Sequence, residues 1–185
     1  MIYRYVRFIL GICLMIYVGR IIVKGIENLP KSGSYIIVAP HHHFIDAIVF
    51  ATQIRATDFF FIAKKELFKN KIFSWFLGKL NAFPVDRKNP SLATLQFPIK
   101  KLTENQQSFV IFPTGSRYSS QLKSGYLLIA KSSKKPIVPA KFEFNSWGRS
   151  RLTIGKPYFI ASDERLSKTE KKILNEELEL KFAAL

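Results

Sequence analysis

At 185 residues the chain has the length of one domain with one hydrophobic core, and its 48% hydrophobic content suits a compact fold, not a disordered segment. Twenty-nine Lys and Arg against thirteen Asp and Glu give a net charge of +16, which attracts nucleic acid, anionic lipid headgroups or acidic proteins without choosing among them. The single cysteine, Cys13, excludes an intramolecular disulfide framework, and its apolar neighbours mark it as a small hydrophobe.

The chain opens with an uncharged run from Phe8 to Gly19, bracketed by Arg4 and Arg7 before it and Arg20 after it. As a helix this run spans roughly 18 Å, short of the ~30 Å hydrocarbon core of a bilayer. Val18-Gly19-Arg20 is a poor signal-peptide cleavage site. Residues 1–20 are therefore expected to form a retained, partly inserted membrane anchor, with arginine and tyrosine at headgroup level. Residues 21–185 follow as a single domain.

Beyond the anchor, β-rich runs alternate with helical stretches. Strands are expected over 20–24, 35–39, 58–62, 82–85, 108–112 and 136–142, with a last pair around 151–154 and 158–160. Helices are expected over 46–54, 66–80, 91–104, 124–132 and 168–182, the last supported by the capping-box spacing of Ser167 and Glu170. This alternation predicts an α/β fold: a mostly parallel, twisted sheet with flanking helices, made mixed by a C-terminal hairpin. Sites in open α/β sheets gather at the carboxyl ends of strands.

Three loops follow such ends. The first, His41-His42-His43-Phe44-Ile45-Asp46, puts imidazoles beside a carboxylate. A carboxylate that accepts from one ring nitrogen fixes the tautomer and stabilises the imidazolium formed when the other nitrogen removes a proton. The same residues also suit a helix cap. Metal ligation is disfavoured, because adjacent side chains point to different faces and the spacings of zinc sites are missing. Regular helix geometry would select His42 or His43, four and three residues before Asp46. The second and third loops, 84–89 and 112–120, carry Arg87 and Arg117. Gly115, Ser116 and Arg117 together suit an anion: a flexible backbone, a hydroxyl and a guanidinium that grips phosphate in bidentate fashion.

In order, these blocks resemble the glycerolipid acyltransferases, whose best-known members are the 1-acylglycerol-3-phosphate acyltransferases. His41 and Asp46 fit their H-x-x-x-x-D box, Val23 to Pro30 resembles the lead-in strand, and Ala63-Lys64-Lys65-Glu66-Leu67-Phe68 the segment after the second block. Phe83 to Arg87 resembles the arginine-bearing block, Phe112 to Arg117 is similar to F-P-E-G-T-R, and Pro136 to Ala140 resembles the fourth block. The resemblance covers about residues 20 to 142 and selects His41, which requires a turn between strand and helix. Two departures stand out: Thr114 replaces the family glutamate and Ser116 the family threonine.

The resemblance implies that residues 21–185 are an acyltransferase catalytic domain. His41, held by Asp46, acts as general base on the free hydroxyl of a lysophospholipid. Arg87 and Arg117 hold the acceptor phosphate, with backbone N–H groups near Gly115 assisting, and Lys64 is a further cation at the site. The implied acceptor is lysophosphatidic acid, with another lysolipid or an amino-acid-derived lipid as the alternatives. The donor is acyl-CoA or acyl carrier protein bearing the acyl chain, and no other cofactor or metal is implied. The expected partners also include an anionic membrane surface, at the cytoplasmic face of the inner membrane in a bacterium. A non-catalytic basic membrane- or nucleic-acid-binding module is the reading outside enzymes. Nucleic acid is not expected, because the aromatics sit in apolar runs and are not interleaved with basic residues.

Overall fold

Seven strands form one sheet in the order β1-β7-β6-β2-β5-β3-β4 in this computed structural model, which describes residues 2–86, 89, 91–119, 121–160 and 166–185. The strands are β1 (Ile22–Lys24), β2 (Ile36–Val38), β3 (Phe59–Lys64), β4 (Ala82–Val85), β5 (Ser108–Ile111), β6 (Ile137–Glu143) and β7 (Arg151–Ile154). All pairings are parallel except β6 with β7. The helices are α1 (Ile2–Val18), α2 (Asp46–Gln53), α3 (Lys71–Lys79), α4 (Ala93–Thr103), α5 (Gly125–Ser133) and α6 (Lys168–Ala183). This is the mixed, mostly parallel α/β sheet with flanking helices that the alternation predicts.

Strand alternation divides the core into two layers. Tyr35, Ile37, Phe59, Phe61 and Val110 face one side of the sheet, where they pack with Leu14 and Val18 of α1 and Val49 and Phe50 of α2. Ile36, Val38, Phe60 and Phe109 face the other, against Leu102 of α4, Tyr126 and Leu127 of α5 and Leu178 of α6. Phe60 and Phe109 stack across β3 and β5 with centroids 4.6 Å apart, worth about 0.5–1.5 kcal/mol beyond burial. β2 lies at the centre and is buried on both faces, so its end is rigidly placed.

Two expected elements differ. The final hairpin is β6 with β7, and residues 158–160 contribute only an antiparallel bridge from Tyr158 back to Ile137. The expected helix over 66–80 is broken: a 3₁₀ turn at Lys65–Phe68 ends, and Asn70 starts α3 by accepting from the Ile72 and Phe73 N–H groups. A side-chain cap of this kind satisfies N–H groups that an incoming helix would otherwise leave to water.

The N-terminal helix is longer than the apolar run, at 17 residues, or about 26 Å. Among the described residues no helix is long and apolar enough to cross a membrane. Its first three turns expose Tyr5, Phe8, Ile9 and Ile12, whereas Leu14 and Val18 are buried in the core. The helix ends at Gly19, whose positive φ of 77° and contact with the Gly148 backbone leave no room for a Cβ. The indole N–H of Trp147 donates to the Ile16 carbonyl at 3.1 Å, tying the last turn of α1 to the β6–β7 connection.

Candidate active site

After β2, Pro40 ends the strand and the chain curls around one carboxylate before α2 begins at Asp46. Three donors converge on Asp46 Oδ2: the His41 Nδ1–H at 2.8 Å, the His42 N–H at 2.8 Å and the His43 N–H at 2.9 Å. Asp46 is only 2% exposed, so these charge-assisted bonds stand in for the water it gave up. The turn between strand and helix that the H-x-x-x-x-D spacing requires is this loop. Because α2 starts at Asp46, the helical spacing that would favour His42 or His43 does not exist here. His42 is exposed, and the His43 ring packs on Phe144 with centroids 5.5 Å apart.

His41 is held in its plane as well as at its nitrogen. Its ring stacks on Phe112, just past the end of β5, with centroids 4.3 Å apart and an interplanar angle of 19°. With Nδ1–H committed to Asp46, the neutral ring carries its lone pair on Nε2, the arrangement needed for a general base. The His41 side chain remains 16% exposed and lines a groove of about 740 Å³. The groove is mainly apolar, with Leu10 of α1, Ile48 of α2, Phe76 of α3, Leu95 of α4 and Val110 of β5 in its walls. An apolar groove of this volume beside one titratable group suits an acyl chain whose reacting end meets the histidine.

The other sequence candidates are placed as follows. Lys64, at the end of β3, lines the groove and lies 3.7 Å from Glu66. Gly115 also lines it, with a φ of +68°. Its N–H donates to the Phe112 carbonyl at 2.9 Å and is committed to the turn. The Ser116 carbonyl accepts from the Thr114 hydroxyl at 2.9 Å, so Thr114 also closes the turn, in the place where the resembling family carries glutamate. Arg117 is exposed and lies over the Tyr118 ring at 5.8 Å, outside the groove walls. Arg87 lies outside the described residues. The preceding Asp86 pairs with Lys65, and this hydrogen bond and charge raise the Lys65 pKa above its usual value. The pair ties the turn after β3 to the end of β4.

One functional candidate is absent from the sequence reading. Lys123 lines the groove with its Nζ 3.4 Å from where a Gly115 Cβ would stand, so the missing side chain is what lets the ammonium approach the loop. The Lys123 N–H donates to the Pro113 carbonyl at 2.9 Å, folding the two ends of the loop together. Its sequence signal was weak: one lysine among serines, eight residues beyond Gly115.

Comparison with known proteins places the chain in a family. The sequence pattern of the family described as Acyltransferase matches residues 20–143. A 1-acyl-sn-glycerol-3-phosphate acyltransferase of Bacillus subtilis is 37% identical over 162 residues, covering 83% of this chain and 81% of the relative. One of Streptococcus pneumoniae is 38% identical over 143 residues, covering 77% of this chain. The match spans about half, 54%, of that relative's own length. The crystal structure of the 1-acyl-sn-glycerophosphate acyltransferase PlsC from Thermotoga maritima superposes with a TM-score of 0.70 at 25% identity, covering 96% of this chain and 78% of that one. The family pattern takes in β1 to β6 with both His41 and Asp46, and the chain belongs to the acyltransferase family.

Proposed function

We propose that the protein transfers a fatty acyl group from a thioester donor, acyl-CoA or acyl carrier protein, to the free hydroxyl of lysophosphatidic acid, forming phosphatidic acid. The observation that carries this reading is the His41 Nδ1–Asp46 Oδ2 contact of 2.8 Å at the wall of an apolar groove. His41 Nε2 takes the hydroxyl proton as the acceptor oxygen bonds to the thioester carbonyl carbon, giving a tetrahedral oxyanion. The oxyanion collapses, the C–S bond breaks, and the departing thiolate takes the proton from the imidazolium. The acyl group passes directly between substrates, so no acyl-enzyme and no cofactor beyond the donor is consumed.

The acceptor phosphate is assigned to Lys123 and Lys64 at the groove, with Arg117 and Arg87 as the further cations that the family resemblance implies. The exposed apolar residues of α1, with Ile72, Phe73 and Trp75 of α3, support an interfacial seat on the membrane, from which both lipids enter the groove. In a bacterium this is the cytoplasmic face of the inner membrane, where the positive charge also suits an anionic surface and an acidic acyl carrier protein.

The test is transfer of a labelled palmitoyl group to lysophosphatidic acid by the detergent-purified chain with each donor in turn. Labelled phosphatidic acid is the expected product. No product with either donor overturns the acceptor assignment, and other lysolipids and amino-acid-derived lipids are then the substrates to try. Lys123→Gln is expected to raise the KM for lysophosphatidic acid about tenfold, the loss of one charged hydrogen bond, with the donor KM unchanged. An acceptor KM within error of wild type would remove Lys123 from the phosphate site.

A further inference from the structure

A second cavity, of about 520 Å³, opens between α1 and the C-terminal end of α2, and no residue lines both it and the active-site groove. Four arginines line it, Arg4 and Arg7 from α1, Arg20 from the turn after it and Arg55 after α2, and no acidic residue does. Arg7 is fixed in place: its guanidinium donates to the Thr57 carbonyl at 3.4 Å and lies 3.9 Å from Asp58. Among the described residues the other three have no ion pair. Four guanidiniums around one space repel one another, and an anion bound among them would relieve that repulsion while taking bidentate hydrogen bonds.

The remaining walls give the anion a second character. Phe8, Ile12 and Met15 line the same cavity and are exposed, so apolar surface continues directly from the arginines along α1. Gly11 sits between them, and a Cβ built there meets nothing within 4 Å.

We propose that this cleft is a non-catalytic site for the phosphate headgroup of an anionic membrane phospholipid, whose acyl chains lie along Phe8, Ile12 and Met15. The charge of the arginines selects the phosphate, and the adjoining apolar face selects a lipid over a free anion. The site stands apart from the acyl-transfer chemistry and does not depend on it.

The test is binding of the full chain to phosphatidylcholine vesicles with and without phosphatidylglycerol. Wild type is expected to prefer the anionic vesicles. The double variant Arg20→Gln, Arg55→Gln is expected to lose about 30-fold of its affinity for them, with binding to neutral vesicles unchanged and an unaltered melting temperature. The double variant Lys168→Gln, Lys172→Gln removes the same charge from α6, on the other face of the sheet, and is expected to keep the preference. Gly11→Phe fills the cleft without changing charge and is expected to reduce the anionic-over-neutral ratio, while Gly11→Ala leaves it in place. Equal losses in the two double variants, or an undiminished ratio in Gly11→Phe, would reduce the effect to diffuse surface charge and overturn the proposal. Inorganic phosphate serves as the separate arm, compared with chloride at equal ionic strength. If it raises the melting temperature of wild type but not of the arginine variant, and vesicle binding shows no dependence on the arginines, the cleft takes free phosphate and the lipid assignment fails.

Discussion

His41→Ala is expected to lower the turnover of palmitoyl transfer by about 10²–10⁴-fold, the usual contribution of a positioned general base, with little change in fold. The separation of the two effects follows from the way Asp46 is held. When the imidazole is removed, Asp46 Oδ2 still accepts the His42 and His43 N–H groups, so the buried carboxylate keeps two of its three donors and the loop keeps its shape. What the fold loses is the ring stacked on Phe112, an aromatic contact worth about 0.5–1.5 kcal/mol. Initial rates with saturating donor and acceptor, set beside a melting curve, distinguish loss of the base from loss of structure. Turnover comparable to wild type in a folded His41→Ala protein would remove the histidine from the mechanism.

Asp46→Asn is expected to cost nearly as much, up to about 10⁴-fold in kcat, the loss that a wrong imidazole tautomer causes in a serine–histidine–aspartate triad. The amide has one oxygen and one NH₂ where the carboxylate had two acceptors. If the oxygen stays toward His42 and His43, the imidazolium loses the negative charge beside it. If the NH₂ turns toward His41, Nδ1 must accept, the proton moves to Nε2, and the ring ceases to be a base. Both orientations leave substrate KM values near wild type, because Asp46 is buried behind His41 and is not among the groove walls. The KM-against-kcat split is therefore the diagnostic measurement. A variant with raised KM and normal kcat would make Asp46 a determinant of pocket shape instead. Asp46→Ala is the less informative change, since it removes the acceptor shared by all three donors and so disturbs the loop as well as the imidazole.

Much of this architecture was legible because period and punctuation agreed. The bounds of β4 and β7 coincide with their expected ranges, and the capping box starts α6 where Ser167 and Glu170 place it. The break between Lys65–Phe68 and α3 was obscured by a run of apolar and basic residues that suits one helix, and the Asn70 cap shows only in the fold. The partner of β7 was not legible, because strand pairing is a property of the assembled sheet and both β6 and the 158–160 segment offered apolar residues.

The candidate site divides in the same way. His41 and Asp46 are five residues apart, so one loop brings them together and local sequence suffices. Phe112 meets His41 only because β5 lies next to β2, and Lys123 reaches Gly115 only because its loop doubles back on Pro113. Arg117, the more conspicuous cation, stands two residues after Gly115 yet lies over Tyr118 in solvent. Spacing along the chain identifies groups that share a loop, and it is silent on which of them turns inward.

The way α1 ends has a practical consequence for isolating the protein. Leu14 and Val18 are part of the core, Val18 accepts from the Gly148 N–H at 2.7 Å, and Leu10 forms a wall of the groove beside His41. Cutting the chain at residue 20 to obtain a detergent-free protein would therefore unroof the core and open the groove to water. A soluble form has to be reached by replacing the outward-facing Phe8, Ile9, Ile12 and Ile16 with polar residues, leaving the helix itself in place.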